Sequence, residues 1–426
     1  MERKYKESGI EWIGKIPETW NVDIAKRVFK QRRDKGNEEC QLLAATQKYG
    51  MYPQHLLEGV VKVAADTDLS LFKTVHKNDY VISLRSFQGG FEMSEYEGVC
   101  SPAYQVFYAT RQISSQYYKY LFKSDAFIQE INSLTVGIRE GKNILYDDFA
   151  LLPIPIPPAS DQRRIAEYLD KKCVEIDSLI ALQEQMIEKL KAYKQSVITE
   201  AVTKGLEPNA KLVPSGIDWI GEIPAGWKVT VLRRFAHIIL GKMLQPSAKF
   251  KEDSLEHYIC AKDVHFEGID TTDLKKMYFN QAEKELYQIQ KGDMLVVEGG
   301  AGAAGSCVLR NDLPDTYIQN SIMIVRPKQG IDIRYIQYYE FSLVKKGYVD
   351  YVCNKATIPH FTKDKLSSMP IPLPPLSEQQ AIATYLDSKC TDIDRLIAVK
   401  QQKIEKLKDY KKSVIYEAVT GKTIIE

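Results

Sequence analysis

A glycine-rich run and a terminal Gly-Lys-Thr are the two segments that most resemble phosphate-binding sites. Residues 300–305 fit the Gly-x-Gly-x-x-Gly pattern of a dinucleotide loop, but such a loop must lead directly into a helix. Residues 306–310 predict a strand instead, so we interpret the run as a tight β-turn or as a place where the backbone approaches a phosphate. Residues 421–423 match only the end of a P-loop, without its first glycine or a preceding strand, and predict a frayed terminus.

The remaining chemical patterns do not indicate catalysis or metal binding. His257, Cys260 and His265 lack the second close ligand pair that a zinc site needs, so we predict no metal. The chain has no Asn-Pro-Pro-Tyr or Asp-Pro-Pro-Tyr run of the kind that amino-methyltransferases place against a flipped base. We therefore expect no catalytic residues and a chain that is not an enzyme.

Clusters of basic residues with amide or aromatic neighbours are the candidates for contact with DNA. Arginine, lysine, glutamine and asparagine are the side chains that bind phosphates and base edges. The predicted DNA-binding residues are Lys26, Arg27, Arg32, Arg33, Arg85, Gln88, Arg139, Lys142, Asn143, Arg233, Arg234, Asn354, Lys355, His360 and Lys363.

Length, charge and cysteine use set the general class. The 426 residues suggest two to four domains. The net charge of +2 means that any DNA-binding charge is concentrated on one face or supplied partly by partners. The seven cysteines form no Cys-x-x-Cys pair, and no apolar run is long enough for a membrane span. We expect a cytoplasmic protein with reduced thiols.

The elements that must position these residues are written twice in the chain. Residues 8–20 (SGIEWIGKIPETW) return as residues 215–227 (SGIDWIGEIPAGW). Residues 153–170, which begin PIPIPP and end in YLD, return as residues 370–387, and the similarity continues to the end of each copy. A duplicated scaffold with two different inserts indicates one task performed on two different targets.

The divergent inserts, residues 22–152 and 229–369, predict an α+β fold. Short β-rich runs such as residues 80–84 and 294–298 mix with helical stretches at 115–134 and 334–348, without a regular βαβ alternation.

Each repeat ends in a segment that predicts a helix of about 40 residues, because it has no internal proline or glycine. Ser160 and Ser377 are the predicted N-caps. The first helix carries the chain from one domain to the next, so a paired second helix must run back, giving an antiparallel coiled-coil-like pair with a pseudo-twofold repeat. The alternative is two separate amphipathic helices, each packed on its own domain. The predicted pairing residues are Leu169, Ile176, Leu179, Met186, Leu190, Tyr193, Leu386, Ile393, Leu396, Leu407 and Tyr410. A second row, Ile180, Ile187, Ile397 and Ile404, widens this stripe.

At these motifs the chain resembles the specificity subunits of type I restriction–modification systems. The resemblance rests on both WIGxIPxxW segments, both PIPxPP-x-S-[DE]-Q segments with their YLD and long helix, and the alternation of variable and repeated regions. It implies target recognition domains at 1–157 and 208–374, and spacer helices at 158–207 and 375–426. It also implies a bipartite site in double-stranded DNA, two methyltransferase subunits and restriction subunits, with S-adenosylmethionine, ATP and Mg²⁺ bound by those partners and no cofactor in this chain.

Two other functions stay open from the sequence. A structural adaptor that holds two protein partners at a fixed separation explains the repeat and the helices, but not the clustered basic residues. A self-contained modifying enzyme would have to bind S-adenosylmethionine by itself.

Overall fold

The structure is a computed structural model that describes residues 3–36, 40–58, 68–84, 90–134, 144–300, 302–353 and 359–425. The chain forms two compact units. Unit 1 comprises Met1–Glu184 with Gln401–Glu426, and unit 2 comprises Gln185–Lys400. Each unit therefore contains one variable region and a part of each long helix. In the described ranges, no helix is both long and apolar enough to span a bilayer.

Unit 1 has twelve strands in its described part, in chain order β1 (Tyr5–Glu7), β2 (Lys15–Pro17), β3 (Asn21–Ile24), β4 (Phe29–Arg32), β5 (Leu43–Thr46), β6 (Gly50–Pro53), β7 (Lys73–Val75), β8 (Tyr80–Ile82), β9 (Phe91–Met93), β10 (Gly98–Cys100), β11 (Gln105–Ala109) and β12 (Pro153–Ile156). Its helices are α1 (Ser115–Phe122), α2 (Asp125–Leu134), α3 (Tyr146–Ala150) and the first part of α4 (Ala159–Lys204).

The main sheet of unit 1 is antiparallel with the order β4-β11-β8-β9. One face carries a core rich in aromatic residues, in which Phe29 and Phe107 pack edge-on at 5.5 Å between ring centroids, and Phe107 lies 4.6 Å from Phe149. The opposite face carries a smaller cluster formed with β5, β6, β7 and β10. Large rings dominate the buried area here, which explains how short strands of three to five residues form a stable sheet.

Unit 2 has thirteen strands in its described part, β13 (Leu212–Pro214), β14 (Glu222–Pro224), β15 (Lys228–Val231), β16 (Ala236–Leu240), β17 (Ser254–Ile259), β18 (Val264–His265), β19 (Gly268–Ile269), β20 (Lys275–Phe279), β21 (Met294–Val297), β22 (Ser306–Val308), β23 (Thr316–Ile318), β24 (Ile322–Pro327) and β25 (Pro370–Leu373). Its helices are α5 (Gln281–Tyr287), α6 (Ile333–Lys345), α7 (Tyr348–Val352), α8 (Lys363–Ser367) and, in part, α4 and α9 (Leu376–Val419).

The main sheet of unit 2 has the order β16-β24-β21-β22 and repeats the antiparallel arrangement of unit 1. A second sheet, β20-β17-β23, contains one parallel pair, β17 with β23. The prediction of mixed α+β domains is therefore confirmed. The predicted helix at 334–348 ends at Lys345, and Gly347, with a left-handed φ of 85°, separates it from α7. The predicted helix at 115–134 is likewise divided into α1 and α2.

The Pro-Ile-Pro segments form strands, as the predicted extended approach to the helix suggests. β12 pairs with β3, and β25 pairs with β15, in the same antiparallel register. Proline lacks an N–H group, which suits a strand that pairs on one side only. The helices then begin at Ala159 and Leu376, so Ser160 and Ser377 lie inside the first turn, and the predicted serine caps are wrong.

Both long helices are continuous, with 46 residues in α4 and 44 in α9. Their least exposed side chains alternate at spacings of three and four, which is the heptad pattern. The least exposed row combines the two predicted rows, with Ile176 and Ile393 of the first and Ile187 and Ile404 of the second all buried. Several of the predicted pairing residues lie beside this row and are about half-exposed, namely Leu179, Tyr193, Leu396 and Tyr410. The others are buried or partly buried, namely Leu169, Ile176, Met186, Leu190, Leu386, Ile393 and Leu407.

The helical segments of unit 1 run in opposite directions. Arg3 contacts both Asp161, at the start of α4, and the carbonyl of Thr423, just beyond α9. Further along α4, Lys411 Nζ lies 2.7 Å from both carboxylate oxygens of Asp177. Later residues of α4 thus contact earlier residues of α9, so the two segments are antiparallel within unit 1.

The helical segments of unit 2 follow the same rule. Lys400 Nζ lies 3.2 Å from Met186 Sδ, and Lys194 Nζ lies 2.8 and 2.7 Å from the carboxylate oxygens of Asp394. In the internal repeat, Lys194 corresponds to Lys411 and Asp394 corresponds to Asp177. The lysine of this pair lies on α4 in unit 2 and on α9 in unit 1.

Candidate nucleic-acid interface and helix sockets

Repeat-related basic turns precede the edge strand of each main sheet. Lys26 and Arg27 lie on the 3-10 turn Ala25–Arg27 before β4, and Arg233 and Arg234 lie on the turn Leu232–Arg234 before β16. All four are exposed. Arg27 is paired with Asp23 at 3.2 Å in unit 1. The same turn of each domain therefore presents two cationic side chains to solvent. Such turns suit contact with the phosphate backbone of DNA.

A polar cleft of about 510 Å³ opens beside the basic turn of unit 1. Lys26, Lys30 and Arg33 line it together with the rings of Tyr108 and Tyr146, and Asp34 and Asp147 also contribute. Cationic side chains next to aromatic rings can hold a phosphate and stack on a neighbouring base or sugar. Lys30 is a candidate that the sequence did not single out, because it is one of several lysines in a charged run.

Arg32 has a different environment from the other basic candidates. Its guanidinium group donates to both carboxylate oxygens of the buried Asp79, at 2.7 and 3.1 Å, and lies 4.4 Å from the ring of Tyr108. Arg326 of unit 2 makes the same bidentate contact with Asp293, at 2.9 and 2.7 Å. The geometry favours a structural role for Arg32 within its domain, and its contact with DNA stays a prediction.

The two aspartates also explain a short sequence echo between the inserts, Lys77-Asn-Asp-Tyr and Lys291-Gly-Asp-Met. Asp79 accepts the backbone N–H of His76 at 2.8 Å, and Asp293 accepts that of Gln290 at 2.9 Å. In each turn the preceding residue is left-handed, with φ of 70° at Asn78 and 88° at Gly292. The echo is therefore a turn that presents a carboxylate to an arginine on another strand of the same sheet.

The other sequence candidates are distributed as follows. His360 is exposed and its ring lies against Gly299, with Lys363 exposed at the start of α8. Arg85, Gln88, Arg139, Lys142, Asn143, Asn354 and Lys355 lie outside the described residues. The structure thus brings Lys26, Arg27 and Arg33 to one side of unit 1, and His360 and Lys363 to one turn of unit 2.

The segments that resembled phosphate or metal sites have structural roles. β21 and β22 form a hairpin through the glycine-rich run, which confirms the predicted β-turn. Cys260 Sγ lies 3.2 Å from Asp263, and no group of three metal-binding side chains occurs in the part of the chain that is described. Gly421 and Ile425 are buried, so the prediction of a frayed terminus is wrong.

The motif residues of unit 1 form a site that we call the unit 1 socket: Trp20, Asp161, Gln162, Tyr117 and Gly421. Trp20 Nε1 donates to Asp161 at 2.9 Å, and Tyr117 donates to the carbonyl of Val419 at 2.7 Å. Gly421 ends α9 with φ of 73°, and a Cβ atom there would lie 2.6 Å from Pro17. The socket thus holds the beginning of α4 and the end of α9.

The equivalent residues of unit 2 form the unit 2 socket: Trp227, Glu378, Gln379, Tyr335 and Gly205. Trp227 Nε1 donates to Glu378 at 3.1 Å, and Tyr335 donates to the carbonyl of Val202 at 3.1 Å and that of Pro372 at 2.6 Å. Gly205 ends α4 with φ of 75° and lies against Trp227. Here the socket holds the beginning of α9 and the end of α4.

The repeated glutamine of each socket joins the helix to the variable domain. Gln162 donates to the carbonyl of Pro157 at 2.9 Å and accepts the N–H of Ser114 at 2.8 Å. Gln379 donates to Pro374 at 2.9 Å and accepts the N–H of Asp332 at 2.9 Å. A buried amide with both functions satisfied holds the helix N-terminus in one position relative to the domain.

The aspartate of each YLD motif receives a tyrosine hydroxyl from the domain. Tyr120 donates to Asp170 at 2.6 Å, and Tyr338 donates to Asp387 at 2.9 Å. Asp387 is also bound by Arg310 and Arg334, and their hydrogen bonds, with that of Tyr338, hold its pKa below the ordinary range despite desolvation. Sequence analysis found the motifs but not these partners, because the tyrosines and arginines lie in the divergent inserts.

The half-exposed apolar residues of the helices form one stripe in each unit. Leu179, Leu182 and Tyr410 make up the unit 1 stripe. The unit 2 stripe consists of the repeat-related Leu396, Val399 and Tyr193, with Tyr385 nearby. A cleft of about 580 Å³ adjoins the unit 2 stripe and is lined by Tyr193, Tyr385 and the chain that follows α4. Apolar side chains left in solvent at repeated positions indicate contact surfaces.

A duplicated α+β domain, a repeated socket and exposed basic turns together define a class of two-domain DNA-specificity proteins. The family described as type I restriction modification DNA specificity domain matches residues 17–192 and 224–409. The chain therefore belongs to this family and contains two copies of its domain. Its role is DNA sequence recognition, and its curated relatives are named specificity subunits, a role that is not catalytic.

Individual relatives agree with this assignment. The chain is 25% identical to the putative MjaX specificity subunit of Methanocaldococcus jannaschii, over 98% of this chain and 97% of that protein. It is also 25% identical to the EcoKI specificity subunit of Escherichia coli, over 72% of this chain and 66% of that protein.

Two solved structures share the fold. The HsdS subunit from Thermoanaerobacter tengcongensis has a TM-score of 0.56 at 17% identity, covering 96% of this chain and 98% of that one. A structure described as showing assembly and conformational transition of the type I R-M system has a TM-score of 0.71 at 17% identity, covering 96% and 99%.

Proposed function

We propose that this chain is the recognition subunit of a type I restriction–modification complex, in which each domain binds one half of a bipartite DNA site. The observation that carries the proposal is the exposed basic turn at the same repeat position of each domain, Lys26 with Arg27 and Arg233 with Arg234. The way the sockets bind the ends of the long helices supports the two-headed arrangement. Each socket binds the beginning of one long helix through Gln162 or Gln379, and the end of the other through Tyr117 or Tyr335. Such a connection suits a protein that holds two different heads at a set separation.

We further propose that α4 and α9 pair along their length as an antiparallel coiled coil that sets the spacer between half-sites. The equivalent ion pairs, Lys411 with Asp177 and Lys194 with Asp394, support a common register in both units. The heptad spacing of the least exposed residues supports the same conclusion. The proposed boundaries between the recognition domains and the spacer helices, at residues 157, 207 and 374, are part of this proposal.

Two methyltransferase subunits are the proposed occupants of the two helix stripes, one for each repeat. The stripes are apolar and related by the internal repeat, which suits two identical partners. In this proposal the chain works in the cytoplasm with restriction subunits as further partners. The sites for S-adenosylmethionine, ATP and Mg²⁺ lie in those partners rather than in this chain.

A domain exchange tests the division of labour between the two heads. Residues 229–369 are replaced by the corresponding region of a relative, and the methylated sequence is determined by methylome sequencing with the methyltransferase subunits present. We expect one half-site to change while the other half-site and the spacer length stay the same. A motif that is unchanged, or altered in both halves, would contradict the proposal.

The stripes are tested by Leu179→Glu combined with Leu396→Glu. Because both leucines are half-exposed, the charges should leave the fold intact and prevent methyltransferase binding in size-exclusion chromatography. Glu188→Lys with Glu405→Lys, at exposed helix positions outside the stripes, is the matched control. Normal assembly of the leucine variant would place the docking surface elsewhere.

A structural adaptor without DNA recognition is the alternative function. A gel shift with the chain reconstituted with a methyltransferase subunit separates the two, because an adaptor gives no sequence-specific shift. Equilibrium dialysis of the isolated chain against S-adenosylmethionine tests the remaining possibility of a self-contained modifying enzyme.

A further inference from the structure

The loop between β16 and β17, residues 241–253, holds three large apolar side chains in solvent. Met243 is 76% exposed, Phe250 is 63% exposed and Leu244 is 56% exposed. Isolated exposed apolar residues are common on protein surfaces, whereas three on one short loop indicate a candidate contact surface. We name this segment the apolar loop.

The apolar loop is braced at its base. Lys242 is buried and its ammonium group donates to the carbonyl of Tyr278 at 2.8 Å and to Glu283. Gly241 is packed so closely that a Cβ atom would lie 2.3 Å from the carbonyl oxygen of Gln319. The loop therefore leaves the sheet in one direction.

A second brace lies at the far end of the loop. Asp253 accepts the side-chain amide of the buried Gln245 at 2.9 Å, and the backbone N–H groups of Lys249 and Phe250 at 2.8 and 3.2 Å. Four polar groups are thus used to hold the backbone around Phe250. A braced loop keeps its apolar side chains in solvent, instead of folding them back onto the domain.

Charge identifies the partner. Lys249 and Lys251 are the sequence neighbours of Phe250, and both are exposed. An exposed aromatic side chain with a lysine on each side in the sequence suits DNA, because cations can bind phosphates near a ring that contacts a base step. A protein surface that received the ring would not require cations at both neighbouring positions.

We propose that the apolar loop is a DNA wedge, in which Phe250 inserts against a base step of the half-site bound by unit 2, while Lys249 and Lys251 bind the flanking phosphates. This inference rests on the proposed function, because it assigns a residue to a half-site. It predicts sequence preference through the ease of unstacking a step, in addition to contacts with base edges.

The test uses the full chain assembled with its methyltransferase subunits, on a duplex that carries the methylated target sequence. 2-Aminopurine replaces each adenine of the half-site in turn, since its fluorescence rises when a base unstacks. Because methyltransferases flip their target base, a rise at the target adenine is expected in every variant, and the wild-type complex should give one further rise at a different step. Phe250→Ala should abolish that rise and weaken binding roughly 10-fold to 100-fold, whereas Phe250→Trp should retain both.

Controls separate the wedge from other roles of the loop. Leu255→Ala, at an exposed position on β17 outside the loop, should change neither fluorescence nor affinity. Lys249→Gln combined with Lys251→Gln should reduce the slope of log affinity against log salt by about 2.

Different results would contradict the wedge and the proposed function. Wild-type affinity and fluorescence in Phe250→Ala would overturn the wedge, and so would loss of methyltransferase assembly in that variant, which would make the loop a protein contact. The proposed function itself fails by a different result, the absence of sequence-specific binding by the wild-type complex.

Discussion

The ion pair between Lys194 and Asp394 should stabilise the protein more than its repeat-related counterpart, Lys411 with Asp177. Both pairs have bidentate geometry, with N–O distances between 2.7 and 2.8 Å. The side chain of Lys194 is 14% exposed and that of Asp394 is 43% exposed, against 29% and 57% for Lys411 and Asp177. Since water screens the more exposed pair, the pair in unit 2 is the stronger one.

The two members of the stronger pair should also differ from each other. Asp394→Asn leaves an ammonium group that is mostly buried, and we expect a loss of about 2 kcal/mol of unfolding free energy. Lys194→Met leaves a carboxylate group that water can reach, and we expect a loss of about 1 kcal/mol. The same changes at Asp177 and Lys411 should cost about 0.5 kcal/mol or less.

Double-mutant cycles measured by urea unfolding test this order directly. The coupling energy should be about 1 kcal/mol for Lys194 with Asp394, and should fall less with added salt than that of the exposed pair. A coupling energy near zero in unit 2, or a larger one in unit 1, would refute the explanation based on burial.

Three further predictions concern single positions. Tyr335→Phe removes the donor to two carbonyl groups and should lower the unfolding free energy by about 1–2 kcal/mol, while Tyr351→Phe, at an exposed position, should leave it unchanged in the same urea titration. Desolvation raises the pKa of the buried Glu340 from 4.5 to about 8, so the folded protein keeps a proton that the unfolded chain loses, and stability should fall as the pH rises through this range. Glu340→Gln should therefore raise the Tm more at about pH 8 than at about pH 5, and an equal shift at both would contradict the assignment. Gly421→Ala should cost at least twice the roughly 1 kcal/mol expected for Gly9→Ala in thermal unfolding, because both have φ near 74° but only Gly421 lacks space for a Cβ atom.

The repeated parts of the fold were predictable because the same residues perform the same task twice. Two copies of a motif show which positions matter, and Trp20 with Trp227 proved to be the centre of each socket. The partners of these motifs were not predictable. Tyr117 and Tyr335 lie in inserts that share little sequence, and their hydrogen bonds reach across more than a hundred residues of chain.

Four of the eleven predicted pairing residues, Leu179, Tyr193, Leu396 and Tyr410, are half-exposed and lie beside the least exposed row, and the reason is physical. Leucines and tyrosines such as Leu179 and Tyr193 attracted attention by hydrophobicity, whereas the row between them contains Gln183 and Lys194. A buried polar side chain can occupy a helix seam when it has a partner, as Lys194 has in Asp394. The sequence shows the polar residue but not its partner two hundred positions away.

Basic residues were the least predictable part of the candidate interface. Lys26 and Arg32 look equivalent in a charged run, yet one faces solvent and the other binds the buried Asp79. The difference arises because the buried carboxylate of Asp79 lies beside Arg32 and not beside Lys26. The amino-acid composition of the charged run does not reveal this contact.

Matched insertions in the two long helices test most directly whether the helix pair sets the spacing of the bipartite site. Seven residues are inserted after Glu184 in α4 and seven after Lys400 in α9, which preserves the heptad pattern, and the methylated motif is determined by methylome sequencing with the methyltransferase subunits. At about 1.5 Å per residue the pair lengthens by about 10 Å, so the spacer should widen by about three base pairs with both half-sites unchanged. An active complex that methylates the original motif with the original spacer would contradict the account.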